Sequence, residues 1–120
     1  LRRPRGYAGA HDCLLHVQRM DVVTAACLVI RKSVYEEVGG MDEEAFPIAY
    51  NDVDFCLRIR ERGYRNVWTP YAELYHHESA TRGSDLDPAR AERLEAERRA
   101  LRARWGERLI GEANDYGVLI

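Results

Sequence analysis

The segment that runs from Asp52 to Gly63 constrains the fold of this sequence more than any other. It opens on two carboxylates, Asp52 and Asp54, and places apolar residues at Val53, Phe55, Cys56, Leu57 and Ile59. It then turns basic at Arg58, Arg60 and Arg62 before Gly63. Acid at the start and base at the end both suit the dipole of a helix, and a glycine supplies its left-handed stop. Ahead of this helix, residues 39–51 contain Gly39-Gly40 and Pro47 and form a loop of functional length.

A chain of 120 residues holds one domain, or part of one, around a single modest core. Residues 22–30 are β-branched and apolar, which predicts a strand buried on both faces. That run is interrupted by Thr24 and is far too short to span a bilayer. The basic start at Arg2, Arg3 and Arg5 is followed by no apolar stretch, and the chain does not begin with Met, so it reads as an excised piece of a longer protein.

A net charge of -2 gives no reason to expect nucleic acid, even though every basic residue except Lys32 is Arg. Cys13, Cys27 and Cys56 lack paired spacing, and the latter two sit in apolar stretches where a reduced cysteine acts as a small hydrophobe. A reducing cytoplasm is the simplest setting.

The remaining elements follow from local signals. Residues 1–20 read as loop, with one short element near Leu14 to Val17. Ser33 and Glu36 match a capping box that opens a short helix, and Gly39 ends it. Residues 64–69 and 72–77 read as two short strands divided at Pro70. Asp87-Pro88 starts a late helix that runs to about Trp105. Its narrow stripe of Ala91, Leu94, Leu101 and Trp105 predicts peripheral packing. Residues 111–120 read as an extended tail.

Two stretches can carry chemistry. The first is Asn51-Asp52-Val53-Asp54, which sets two carboxylates at the mouth of a helix just after the long loop. Either acid can be a catalytic group there, or simply a cap for the unpaired N–H groups of the first turn. The second is Tyr75-His76-His77-Glu78, at the end of a predicted strand. Neighbouring strand side chains face opposite ways, so one of the two imidazoles, but not both, can serve a single metal; the plainer alternative is a hydrogen-bonded structural histidine. A zinc site built from His11, Cys13 and His16 lacks a second ligand pair of the right spacing. Trp68, Tyr71 and Tyr75 can stack on a sugar ring, but aromatic residues in short strands are more often core.

Several motifs stand in a recognisable order. The run from Val23 through Ala26-Cys27-Leu28-Val29-Ile30 to Val38-Gly39-Gly40-Met41-Asp42-Glu43 is the first. It is followed by Asn51-Asp52-Val53-Asp54-Phe55-Cys56-Leu57-Arg58, by Gly63-Tyr64-Arg65-Asn66-Val67-Trp68-Thr69-Pro70, and by Leu74-Tyr75-His76-His77-Glu78 as far as Gly83. Together they resemble the acceptor side of family 2 glycosyltransferases of the GT-A fold. The likeness is close over residues 23–83 and looser to Gly106.

The resemblance implies an α/β fold, the C-terminal half of a GT-A (Rossmann-like) domain with a short mixed sheet and flanking helices. It divides the chain into a loop-rich lead-in (1–20), an acceptor-side core (21–83), a peripheral helix (84–106) and a tail (107–120). It places the catalytic base on Asp52. Asn51 stands where many members have Glu, and Asn51, Asp54, Gly39 and Gly40 fall in the substrate-binding region. Mg²⁺ or Mn²⁺ is the implied metal, held in part by His76, with His77 its rival. The family's donor Asp-x-Asp is implied to lie upstream of Leu1, so neither Asp52-Val53-Asp54 nor Asp85-Leu86-Asp87 is that motif.

The implied function is inverting sugar transfer from a nucleoside-diphospho-sugar to a saccharide or lipid-linked acceptor, in bacterial surface polysaccharide synthesis at the inner face of the cytoplasmic membrane. Peripheral membrane association comes with that setting. The fragment alone is expected to be inactive and to self-associate through uncovered strand surface. The competing reading is a degenerate, non-catalytic module that binds saccharide or protein, and Asn51 is what encourages it.

Overall fold

The computed structural model describes residues 8–75 and 88–111. In chain order these form a 3-10 helix (Ala10–Leu15), β1 (Gln18–Met20), a 3-10 turn (Ala25–Cys27), α1 (Lys32–Glu37), α2 (Asn51–Glu61), β2 (Asn66–Trp68) and α3 (Pro88–Gly111). The two strands pair antiparallel, with Gln18 opposite Trp68, Arg19 opposite Val67 and Met20 opposite Asn66. Both helices α1 and α2 lie between them in sequence, so the pairing is a long-range contact and not a hairpin. Among the described residues this two-stranded ladder is the whole sheet, in place of the short mixed sheet implied by the resemblance. No helix among the described residues is long and apolar enough to cross a membrane.

The central element is α2. Val53, Asp54, Phe55, Cys56, Leu57 and Ile59 are all buried, so the helix is covered on more than one side. Val53 and Leu57, one turn apart, face a core completed by Phe46, Leu101 and Trp105. Phe55 meets Tyr35 of α1 at a ring separation of 5.4 Å. Cys56 lies against Val23, whose N–H and C=O are both 3.5 Å from the sulfur. Asn66 of β2 donates to Asp21 O and Cys56 O, and Arg60 pairs with Asp21 at 2.7 Å, so the ladder is tied to α2 by polar contacts.

Both short helices stop as their glycines predict. At the end of α2, Gly63 N–H bonds Arg60 O and Tyr64 N–H bonds Ile59 O; at the end of α1, Gly39 bonds Glu36 O and Gly40 bonds Tyr35 O. These are two Schellman motifs, with Gly63 and Gly39 left-handed at φ 83° and 81°.

Several expectations are corrected. Residues 22–30 are not a strand: Thr24 caps the 3-10 turn by accepting from Ala26 N–H, and Val29 is 93% exposed. An apolar run becomes a buried strand only when other strands flank it, and no third strand stands among the described residues. The cap of α1 is Arg31, not Ser33, because Arg31 has the extended backbone of a capping residue while Ser33 is already helical. Residues 72–75 have no regular structure. Tyr71 and Tyr75, expected in the core, are exposed. The late helix is more than peripheral, since Leu101 is fully buried and Trp105 nearly so. The narrowness of its stripe misleads because each of those side chains is large and enters the centre of the core.

Candidate active site

Residues 39–50 lead into α2 and set the first turn. Tyr50 is the capping residue and is left-handed at φ 59°, a conformation that costs a non-glycine residue on the order of 1 kcal/mol. Its carbonyl still accepts from Asp54 N–H at 2.9 Å, so the helix begins cleanly. Asn51 Oδ1 accepts the N–H of Asp52 at 2.8 Å.

The side chain of Asp52 is half-buried. Its Oδ2 accepts from Ala25 N–H at 3.2 Å, across from the 3-10 turn, and its Oδ1 accepts from Val53 N–H at 2.9 Å. A carboxylate has about four acceptor positions, so these two bonds orient it and leave capacity for a further donor. Among the described residues these are the two hydrogen bonds that hold the carboxylate, one to each oxygen.

Asp54, two residues on, is the opposite case. It is fully buried; Oδ1 accepts from Arg104 and from the Trp105 indole, each at 2.9 Å, and Oδ2 accepts from Arg58 at 2.8 Å. With no exposed surface in the described structure, it fastens α2 to α3. The same carboxylate keeps the Arg104 guanidinium pKa above its usual range, with Asp42 as the second cause.

Gly39 is exposed and Gly40 buried, and both are left-handed. A side chain on Gly40 would meet the Tyr35 ring at 3.1 Å, whereas one on Gly39 would meet open space. Gly39 borders an open groove of about 420 Å³ whose other walls are Met41, Asp42, Glu43, Glu44, Arg58 and Arg104. Three acids and two guanidinium groups give the groove both acceptors and donors, which suits a hydroxylated ligand. Asp42 Oδ1 accepts from Ala45 N–H and Oδ2 from Arg104, and these contacts hold its carboxyl below the ordinary carboxylate pKa, the backbone N–H first. Asp52 does not line this groove.

His76 and His77 lie outside the described residues, as do Asp85 and Asp87. Among the described residues no three His, Cys, Asp or Glu side chains gather closely enough to hold a metal ion. Cys56 is buried, which pushes its thiol pKa up, while Cys27 is exposed despite its apolar surroundings in sequence. Sequence reasoning missed Glu97 and Arg104, and read Trp105 only as part of an apolar stripe. Glu97 is 4% exposed and accepts from the N–H groups of Ile48 and Ala49, just before the site. The available signal was spacing: Glu97, Leu101, Arg104 and Trp105 share one face of a helix.

With this geometry in view, comparison with known proteins is informative. Over 103 residues, 82% of its length, the chain is 46% identical to the uncharacterized protein y4gI of Sinorhizobium fredii, covering 11% of that protein. Over 66 residues it is 44% identical to the O-antigen biosynthesis protein RfbC of Myxococcus xanthus, covering 5% of it. Over 63 residues it is 36% identical to the N-acetylglucosaminyl-diphospho-decaprenol L-rhamnosyltransferase of Mycobacterium tuberculosis, covering 20% of it. The last is by name a glycosyltransferase. The chain thus spans a fifth or less of the length of each of these relatives. No protein-family model and no solved structure matches it.

Proposed function

We propose that this chain is the acceptor-side part of an inverting, family 2 glycosyltransferase of the GT-A fold, and that Asp52 is its general base. The observation that carries the reading is the Asp52 carboxylate at the mouth of α2, half-exposed and oriented by Ala25 N–H and Val53 N–H, two donors among the described residues for about four acceptor positions. Partial similarity to a rhamnosyltransferase and to an O-antigen biosynthesis protein supports sugar transfer in surface polysaccharide synthesis as the setting.

In the proposed step an acceptor hydroxyl oxygen attacks the anomeric carbon of a nucleoside-diphospho-sugar. The bond from that carbon to the phosphate oxygen breaks, and the nucleoside diphosphate leaves with the electron pair. The hydroxyl proton passes to Asp52, which is needed because an alcohol is far too weak an acid to ionise unaided near neutral pH. Inversion follows from attack opposite the leaving group. Asn51, by bonding Asp52 N–H, helps to fix the first turn and adds no second charge beside the base. Mg²⁺ or Mn²⁺, held in part by His76 or its rival His77, would neutralise charge on the departing diphosphate. The acceptor is a saccharide or lipid-linked saccharide at the inner face of the cytoplasmic membrane.

The test is transfer by the full-length protein supplied with nucleoside-diphospho-sugars and a divalent cation. Asp52→Asn is expected to abolish transfer while lowering stability by only about 1 kcal/mol, because the amide oxygen keeps an acceptor for Ala25 N–H and Val53 N–H alone loses its own. Full turnover in that variant rules out the base. Saccharide binding without turnover in the unaltered protein supports the non-catalytic module instead.

A further inference from the structure

Glu97 is a buried acid that the proposed chemistry does not use. Its carboxylate leaves α3 and reaches the loop ahead of α2, where Ile48 N–H lies 3.1 Å from one oxygen and 3.3 Å from the other, and Ala49 N–H lies 2.7 Å from the second. One helix residue therefore holds two consecutive loop residues, Ile48 and Ala49, immediately before Tyr50. Buried backbone N–H groups require an acceptor, and a carboxylate offers two atoms where an amide offers one.

The lengthwise placement of Glu97 is set elsewhere on the same face. Arg104 and Trp105 bind Asp54 of α2, and Leu101 packs between Phe46, Val53 and Leu57. At 1.5 Å per residue, Arg104 lies about 10 Å along the axis from Glu97. Fixing α3 at Asp54 thus fixes where Glu97 meets the loop. The loop in turn enters α2 through the left-handed Tyr50, two residues before Asp52. A peptide held in a sparsely populated conformation needs such external support, because nothing local favours it.

We propose that Glu97 is the positioning residue for Asp52. By fixing the backbone at Ile48 and Ala49 it holds Tyr50 left-handed and aims the first turn of α2 so that the Asp52 carboxylate meets Ala25 N–H. The catalytic consequence rests on Asp52 being the base; the positioning itself does not.

The experiment compares Glu97→Leu, Glu97→Gln and, on the exposed side of α3, Ala96→Gly in the full-length protein. Amide hydrogen exchange is followed at Ile48, Ala49, Ala25 and Val53 beside the kinetics of transfer. Glu97→Leu is expected to speed exchange at all four amides and to lower kcat on the order of tenfold to a hundredfold, with donor KM unchanged. Glu97→Gln, which keeps one acceptor, should fall between it and the unaltered protein, and it carries the test if the leucine variant does not fold. Ala96→Gly should weaken the helix without moving either readout.

Faster exchange confined to Ile48 and Ala49, with Ala25 and Val53 unaffected, overturns the proposal, as does an equal loss of kcat in Ala96→Gly. If Asp52→Asn retains turnover, the base assignment fails on its own, and exchange at Ala25 and Val53 still decides whether Glu97 positions that carboxylate.

Discussion

Trp105 donates its indole N–H to Oδ1 of Asp54 at 2.9 Å, and the neighbouring Arg104 donates to the same oxygen at the same distance. Two adjacent residues of α3 thereby close on one buried atom of α2, while Arg58 occupies the other carboxylate oxygen. The contact is both a charge pair and a helix-to-helix lock, and it explains why an acid stands among the otherwise apolar buried positions of α2.

Removing that acid should cost more than an average core substitution. Asp54→Ala takes the shared acceptor from Arg104, Arg58 and the Trp105 indole; because Arg104 keeps Asp42 and Arg58 keeps Val38 O, the cost falls at the low end of the range of about 3–5 kcal/mol for breaking a buried pair. Trp105→Phe, which deletes the indole donor and also shrinks a buried ring, should cost at least about 1.5–3 kcal/mol. Denaturant unfolding gives both values, and a loss below that of the phenylalanine variant in Asp54→Ala would show that the lock does not stabilise the fold.

Asp42 should make stability depend on acid. Its pKa is lowered from 3.8 in the folded protein, chiefly by Ala45 N–H and then by Arg104, so the folded state binds a proton less readily than the unfolded chain. The stabilisation is complete above 3.8 and is lost as pH falls through the lower, folded value. Unfolding curves of the unaltered protein and Asp42→Asn should differ at neutral pH and converge in strong acid. Parallel curves over the whole range would mean that Asp42 has no such coupling.

The two glycines before the groove should respond unequally. Both are left-handed, so alanine strains each by more than about 1 kcal/mol. Gly40→Ala must also displace the Tyr35 ring from 3.1 Å, and with it the contact of Tyr35 to Phe55, whereas Gly39→Ala points into open space. Thermal unfolding should rank Gly40→Ala well below Gly39→Ala, and equal melting temperatures would remove the steric part of the argument.

The elements written plainly in the sequence are those with local causes. The middle helix is legible because its acids, its basic end and Gly63 each act within one turn, and it forms over Asn51–Glu61 with the Schellman stop that the glycine predicts. The late helix, announced by Pro88 at its first position, is legible for the same reason. Residues 22–30 have the composition of a strand but do not form one, because a strand is not a local object: its hydrogen bonds belong to neighbours, and without them Thr24 wins the backbone for a 3-10 turn. Asp52 was legible as an acid at a helix mouth, but not the Ala25 N–H that orients it from 27 residues away.

The sequence alone determined where α1 and α2 stop and where α3 starts, and that two carboxylates stand at the head of α2. Only the tertiary structure decided which of the two is half-open and which is locked, because that depends on Arg104 and Trp105 arriving from 50 and 51 residues away. Spacing of 3.6 residues per turn separates Asp52 from Asp54 around the helix by more than half a turn, so the same helix hands one acid to the surface and the other to the core. Which direction is the core is set by packing between α2 and α3, and packing is a property of two elements that neither one encodes by itself.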